Sequence, residues 1–309
     1  MKVGHASDFD AITGVTVILA EAGAVGGVDI RGSATGTEEV DALRPDHIAP
    51  LVHAVVLAGG SAFGLEAASG VRRFLERKNI GFPAGVTVVP IVPCAILFDL
   101  GIGKAHVRPT REMGEVAAAA AHTGPVEEGS VGAGTGATVG KLAGLRQAMK
   151  GGIGSWTVAL GGAYEGVLVS SLVAVNALGD VCDATGRLVA GMRRGPSSKE
   201  LAGSEAEMKR GATGGFRREN TTLAVVATNA RLNKVEAGKL ARLAGLGMAR
   251  SIRPVNTMAD GDVVIALSLG SASASVDALG VAAAESVAEA VVRAVRPARS
   301  LGGVPGLAG

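Results

Sequence analysis

Histidine is scarce in this 309-residue chain. There are five, His5, His47, His53, His106 and His122, and none follows residue 122. None stands at metal-ligand spacing from another, so a histidine metal site or a histidine-based triad has little to build on. Cysteine is scarcer still. Cys94 and Cys182 each sit in an apolar stretch, "VPCAILF" and "GDVCDA". That fits two buried thiols and gives no support to a disulfide framework or a zinc site. Aromatics make up 3% of the residues, and the net charge is +2 with no basic block. Bases find little to stack on and phosphates no patch to bind, so nucleic acid is not an expected partner. The opening "MKVGHASDFDAITG" has no apolar signal core. No apolar run reaches spanning length without glycine, proline or charge. The expectation is a soluble, cytoplasmic protein without a membrane partner.

What is abundant is glycine, with 47 residues, in a chain that is 48% hydrophobic. That is ample for a buried core, with elements packed closely and backbone amides brought near ligands. "GVTVILAEAGAVGGVDIRG" (14–32) reads as two short strands around a small-residue turn. "LVHAVVLAGG" (51–60) reads as a buried strand, and 61–78 as a helix with Ser61 at its cap. A proline-broken strand region ends in Phe98, and 111–122 reads as an alanine-rich helix. Residues 166–181 read as a buried strand carrying one polar amide, Asn176. Periodicity then vanishes from 191 to 220, which predicts a linker. Order returns at Thr221 with a strand, then a helix capped by Asn233 and Glu236, a strand after an acidic turn, and a last helix over 276–296. Strands and helices mix on both sides of the linker. This points to one α+β domain over 1–309 rather than two independent ones.

Two glycine-rich motifs fail on inspection. "GAGTGATVGK" (132–141) has Thr135 where a phosphate loop needs its first glycine and Leu142 where it needs Ser/Thr after the lysine, and no dinucleotide fingerprint fits it. "GGSAFG" (59–64) has Phe63 where a nucleophile elbow needs glycine. A hydrolase without histidine or metal needs another way to activate its nucleophile. A free α-amine has a pKa of about 7.7–8.0 and accepts a proton at neutral pH. If the Asn220–Thr221 bond is cut, Thr221 carries hydroxyl and base on one residue. Asn176 can donate to an oxyanion or bridge strands. Asp260 and Asp262 in "MADGDVV" fit a turn, or can orient a hydroxyl and an ammonium. Lys141 can balance that charge or donate to the transition state.

Taken together, "GVTVIL" with "GGVDIRGSATGTEE", "VHAVVLAGGSAFGLEAASGV", "VGAGTGATVGK", "KGGIGS", "VAVNALGDV" and "NTTLAVVATNA" resemble the L-aminopeptidase/D-esterase peptidases, family S58. That family includes β-peptidyl aminopeptidases and nylon-oligomer hydrolases. The resemblance spans nearly the whole chain. It implies an N-terminal-nucleophile-like αββα sandwich and self-cleavage into chains 1–220 and 221–309. It also implies homo-oligomers of four or more copies, and no metal or cofactor. It places the nucleophile at Thr221, the oxyanion asparagine at Asn176, the paired acids at Asp260 and Asp262, and the lysine of the glycine loop at Lys141. Asn220-Thr221 with an Asp/Asp pair resembles the nylon-oligomer branch. The family's active-site tyrosine, upstream of the glycine loop, has no counterpart, since the sole tyrosine is Tyr164. The expected activity is hydrolysis of small peptides or amide oligomers. The alternatives are an aminopeptidase of the same family, an acyltransferase like ornithine acetyltransferase, and an uncleaved binding scaffold.

Overall fold

The computed structural model describes residues 1–213 and 220–309. Two sheets lie face to face, each covered on its outer side by helices. The first sheet contains β1 (Lys2–Asp8), the first half of β2 (Thr13–Ile30), β3 (Val52–Ala58) and β4 (Cys94–Ile96), with the short strand Thr37–Glu38 beyond β4. Helices α1 (Ala67–Arg77) and α2 (Arg111–Ala119) cover it. The second sheet runs in the order β5 (Gly152–Ala159), β6 (Leu168–Asn176), β7 (Thr221–Ala230), β8 (Val263–Ala272), then the second half of β2. Helices α3 (Lys234–Ser251) and α4 (Val276–Val295) cover that one. This is the expected αββα sandwich.

The layers follow from the two-residue period of strands. In β7, Leu223 and Val225 face the layer between the sheets, while Ala224 and Val226 face the helices. In β6, Leu172 and Ala174 face inward, and Val173 and Val175 face the helices. Both faces of each sheet are sealed, so these strands read as continuous apolar runs. Each buried Leu or Val stabilises by about 1.5–3 kcal/mol relative to its exposed state.

Three readings need correction. Residues 13–30 form one strand, not two around a turn. Its first half pairs with β1 and β3, and its second half pairs with β8. The register against β3 shifts between Leu19 and Ala24, and Gly23 there has φ +83°. The small residues bend the strand from one sheet into the other instead of reversing it. The strand read over 166–181 stops at Asn176, and Asp180–Cys182 belongs to a separate three-stranded sheet. Ser61 does not cap a helix: it opens a 3₁₀ segment at φ +54°, and no side chain caps that segment. The Asn233–Glu236 capping box is present. Both cysteines are buried and unpaired.

The linker is only partly a linker. Residues 214–219 lie outside the described residues. From 191 to 213 the chain is structured, with Arg193 bridged to Leu201 and a short helix at Ser204–Lys209. Polar side chains, not hydrophobic periodicity, hold it. The Arg193 guanidinium donates to the carbonyls of Arg146, Ala148 and Pro196. β7, which follows the linker, sits between β6 and β8 in the middle of the second sheet.

Candidate active site

Strand register brings the sequence-predicted residues together. Asn176 ends β6 and Thr221 begins β7, and the antiparallel register sets them opposite one another. Both share parity with the inward residues of their strands, so both side chains face the layer between the sheets at its end. Thr221 is 4% exposed and Asn176 fully buried. The Thr221 hydroxyl donates to the carbonyl oxygen of Asn220 at 2.5 Å. The Gly261 N–H donates to the same oxygen at 2.8 Å. Two donors therefore polarise the carbonyl of the 220–221 peptide. β8 runs parallel to β7 with Val263 beside Leu223, and Asn220 bridges Asp260. That register places Gly261 beside Thr221. A Cβ on Gly261 would stand 2.9 Å from Thr221 Oγ1 and 2.7 Å from the Ala34 carbonyl oxygen, so the position calls for glycine. Sequence reading took "MADGDVV" for its acids and passed over this amide.

The two aspartates fix backbone on either side of Thr221. The Asp262 carboxylate accepts from the N–H of Thr222 at 2.6 Å and of Asn256 at 2.9 Å. The Asp260 carboxylate accepts from the N–H of Leu178 and from both the N–H and hydroxyl of Thr257. Among the described residues, neither carboxylate bonds the Thr221 hydroxyl. Burial pushes the Asp262 carboxyl up to about 7, and the Asp260 charge adds to the rise. The N–H donors and the Lys141 charge oppose it.

That shift has a consequence for stability. The folded pKa lies above the unfolded one, so between about pH 4 and 7 the native state binds the extra proton. The cost of burying a charged Asp262 is absent below that window, grows through it and is complete above it. Asp262→Asn abolishes the titration and loses one acceptor at every pH. Its unfolding free energy relative to the parent is expected to improve as pH rises from 4 to 7, by at most about 1.4 kcal/mol per pH unit. Denaturant melts of both proteins across that range measure the slope, and a flat difference would show that Asp262 does not titrate there.

Asn176 is a hub. Its side-chain oxygen accepts from Thr138 N–H at 3.0 Å and from Lys141 Nζ at 2.9 Å, with the Thr138 hydroxyl at 3.4 Å. Lys141 also donates to the Asn176 backbone oxygen at 2.9 Å. Three donors around Oδ1 fix the orientation of the amide and set its NH2 on the opposite side, where Nδ2 donates to Phe98 O at 3.0 Å. A cavity of about 10 Å³, room for one water, adjoins this hub and is lined by Phe98, Asp99, Ile102, Thr138, Lys141 and Leu145.

Sequence reading missed two groups that build the hub. Lys150 is 1% exposed and donates to the carbonyls of Thr135 and Ala137, holding the turn that presents Thr138. Burial pushes its pKa down to about 7; the Lys141 charge pushes the same way and Asp99 opposes. Asp99 is buried and accepts from the Thr13 hydroxyl and the Gly60 N–H, each at 2.7 Å. Lys150 carried one signal, a lone charge in "QAMKGGIGSW". Tyr164 lies in the turn between β5 and β6, at the far end of β6 from Asn176.

Comparison with known proteins gives this arrangement a context. The family model described as peptidase family S58 matches residues 1–308. An uncharacterized aminopeptidase of Mycobacterium leprae is 41% identical over 316 residues, covering 94% of this chain and 84% of its own. A 6-aminohexanoate-oligomer endohydrolase of Kocuria sp. is 30% identical over 320 residues, covering 96% and 84%. Among solved structures, a β-aminopeptidase of Burkholderia sp. matches with a TM-score of 0.69 at 25% identity, covering 99% of this chain and 88% of that one. The L-aminopeptidase D-Ala-esterase/amidase of Ochrobactrum anthropi matches with a TM-score of 0.74 at 20% identity, covering 98% and 86%, and is described as a variant of the N-terminal-nucleophile hydrolase fold.

Proposed function

This chain belongs to peptidase family S58 and is an amide or peptide hydrolase, and we propose that it cuts itself between Asn220 and Thr221 and then uses Thr221 as an N-terminal nucleophile. The observation that carries the reading is the Thr221 hydroxyl 2.5 Å from the oxygen of the Asn220 carbonyl, which also accepts the Gly261 N–H at 2.8 Å. In the first step Thr221 Oγ1 bonds the Asn220 carbonyl carbon, the C–N bond to Thr221 breaks, and the hydroxyl proton ends on the freed amine. Water then splits the resulting ester into an Asn220 carboxylate and a Thr221 hydroxyl. The α-amine does not exist before the cut, so this step uses a different proton acceptor from later turnovers.

In turnover the amine takes the Thr221 proton as Oγ1 attacks a substrate carbonyl, and returns it to the leaving amine. Water, for which the cavity beside Lys141 has room, releases the acyl group. Asn176 donates its amide N–H to the oxyanion, and Lys141 holds that amide in orientation. Asp262 fixes Thr222, the residue after the nucleophile, and Asp260 fixes the turn that carries Gly261.

The substrate class we assign is small peptides or amide oligomers, in line with the similarity to an oligomer endohydrolase. A second reading, removal of amino-terminal residues, is favoured by the similarity to aminopeptidases; turnover of free-amine anilides but not oligoamides would select it. The reading includes a cytoplasmic homo-oligomer of four or more copies. Among the described residues, no helix is long and apolar enough to cross a membrane. Intact mass of purified protein tests the central claim. Two chains are expected, 1–220 and 221–309, the smaller beginning Thr-Thr-Leu-Ala-Val-Val. An intact chain after long incubation, or any other terminus, would overturn it.

A further inference from the structure

Asp180 is a buried carboxylate that the reaction described above does not use. It stands four residues beyond Asn176, on the chain that runs on from β6. The intervening residues are tied to the active site: Leu178 N–H donates to Asp260, the Leu178 carbonyl accepts from Lys141 N–H, and the Gly179 carbonyl accepts from Gly140 N–H. Asp180 is therefore fixed relative to Asn176. Its side chain reaches into the stretch read as a linker and holds it at two places. Oδ1 accepts from Met192 N–H at 2.7 Å and from the Ser204 hydroxyl at 2.8 Å, and Oδ2 accepts from Ser204 N–H. A Cβ on Gly191 would stand 2.1 Å from Oδ1, so this stretch lies directly against the carboxylate. Burial pushes the Asp180 carboxyl up, and its three donors pull it back.

We propose that Asp180 is a positioning residue for self-cleavage, anchoring the segment that leads into the 220–221 peptide at Ser204 and so at a fixed distance from Asn176 and Thr221. The inference rests on the self-cleavage reading above. Without the anchor at Ser204, the last point held by Asp180 is Met192. The helix Ser204–Lys209 then loses its tie to the chain that runs on from Asn176, and the direction in which it leads toward Asn220 is less defined. The same contacts do not touch Thr221, Asn176, Lys141, Asp260 or Asp262, so turnover by a chain already cut does not depend on them.

The chemistry of the contact supplies a selective variant. Asp180→Asn, with its oxygen at the Oδ1 position, keeps the bonds to Met192 N–H and the Ser204 hydroxyl. Its NH2 then faces the Ser204 N–H, donor against donor. Ser204→Ala removes only the hydroxyl bond and controls for that contact. The measurement is the rate of self-cleavage in freshly purified full-length chain, followed by intact mass, together with amide turnover per cleaved molecule and the melting temperature. For Asp180→Asn, cleavage is expected to slow by about tenfold or more, with turnover per cleaved molecule within about twofold of the parent. Ser204→Ala is expected to slow cleavage less. Cleavage of Asp180→Asn at the parent's rate, or a parallel fall in cleavage and turnover with early melting, would overturn the assignment. Absence of cleavage in the parent would instead overturn the underlying reading, so the two failures are distinguishable.

Discussion

Thr221→Ala is expected to remain a single 309-residue chain and to hydrolyse amides at least about 10⁴-fold more slowly than the processed parent. The size follows from removing both roles at once. Without Oγ1 there is no atom to bond the Asn220 carbonyl, so the α-amine that serves as base is never freed, and no nucleophile remains for substrate. The fold has little reason to change. Among the described residues the hydroxyl makes one hydrogen bond, to a carbonyl that keeps its Gly261 donor, and a typical net loss is about 1 kcal/mol. Thr222→Ala is the contrast. Among the described residues Thr222 Oγ1 is buried without a hydrogen-bond partner, and its N–H bond to Asp262 survives the substitution. That variant is expected to cut itself and turn over. Mass, melting temperature and turnover on the same preparations separate the two. A Thr221→Ala protein that still splits would move the nucleophile elsewhere.

The second large effect is expected at Asn176. Asn176→Asp keeps the oxygen that Thr138 and Lys141 hold, and removes the amide N–H. As an oxyanion donor its loss lowers kcat by about 10²–10³ with little change in KM, and slows self-cleavage as well. Asn176→Ala removes the oxygen too. It leaves the buried donors of Thr138 and Lys141 short of an acceptor and adds a cavity, so it is expected to melt earlier by roughly 2–4 kcal/mol. Asn176→Asp also replaces the amide bond to the Phe98 carbonyl with an oxygen–oxygen contact, so the melting temperatures of both variants, read beside kcat, divide chemistry from architecture at one residue. If Asn176→Asp turns over at the parent's rate per cleaved molecule, the amide serves only the fold.

The elements of this protein were legible where the local pattern is strong. The buried strands at 52–58, 221–230 and 263–272, the helix over 276–295 and the Asn233–Glu236 cap all carry their signals within a few residues. So did the absences: five early histidines and two isolated cysteines gave a histidine triad or a zinc site little to build on. The chemical candidates stood out for the same reason, since Asn176 and the Asp260–Asp262 pair are polar groups in or beside apolar runs. Thr221 stood out as the first residue after a polar stretch.

Only the tertiary structure decided what these residues do to one another. Strand register, a long-range property, set Asn176 opposite Thr221 and slid Gly261 beside the Asn220 carbonyl. No local signal marks a backbone N–H as special, so Gly261 went unread. β2 could not be read as one strand, because small residues around Gly23 signal a turn in one dimension and a bend between two sheets in three. The stretch from 191 to 213 lacks hydrophobic periodicity because carboxylate and guanidinium contacts hold it, through Asp180 and Arg193. Lys150 reads as a stray charge until the fold buries it under two carbonyls. Periodicity and composition are local averages and fix which segments are strand, helix and core. Pairing, burial and the partners of single polar atoms depend on contacts between residues far apart in the chain, and those are chosen only when the whole sandwich closes.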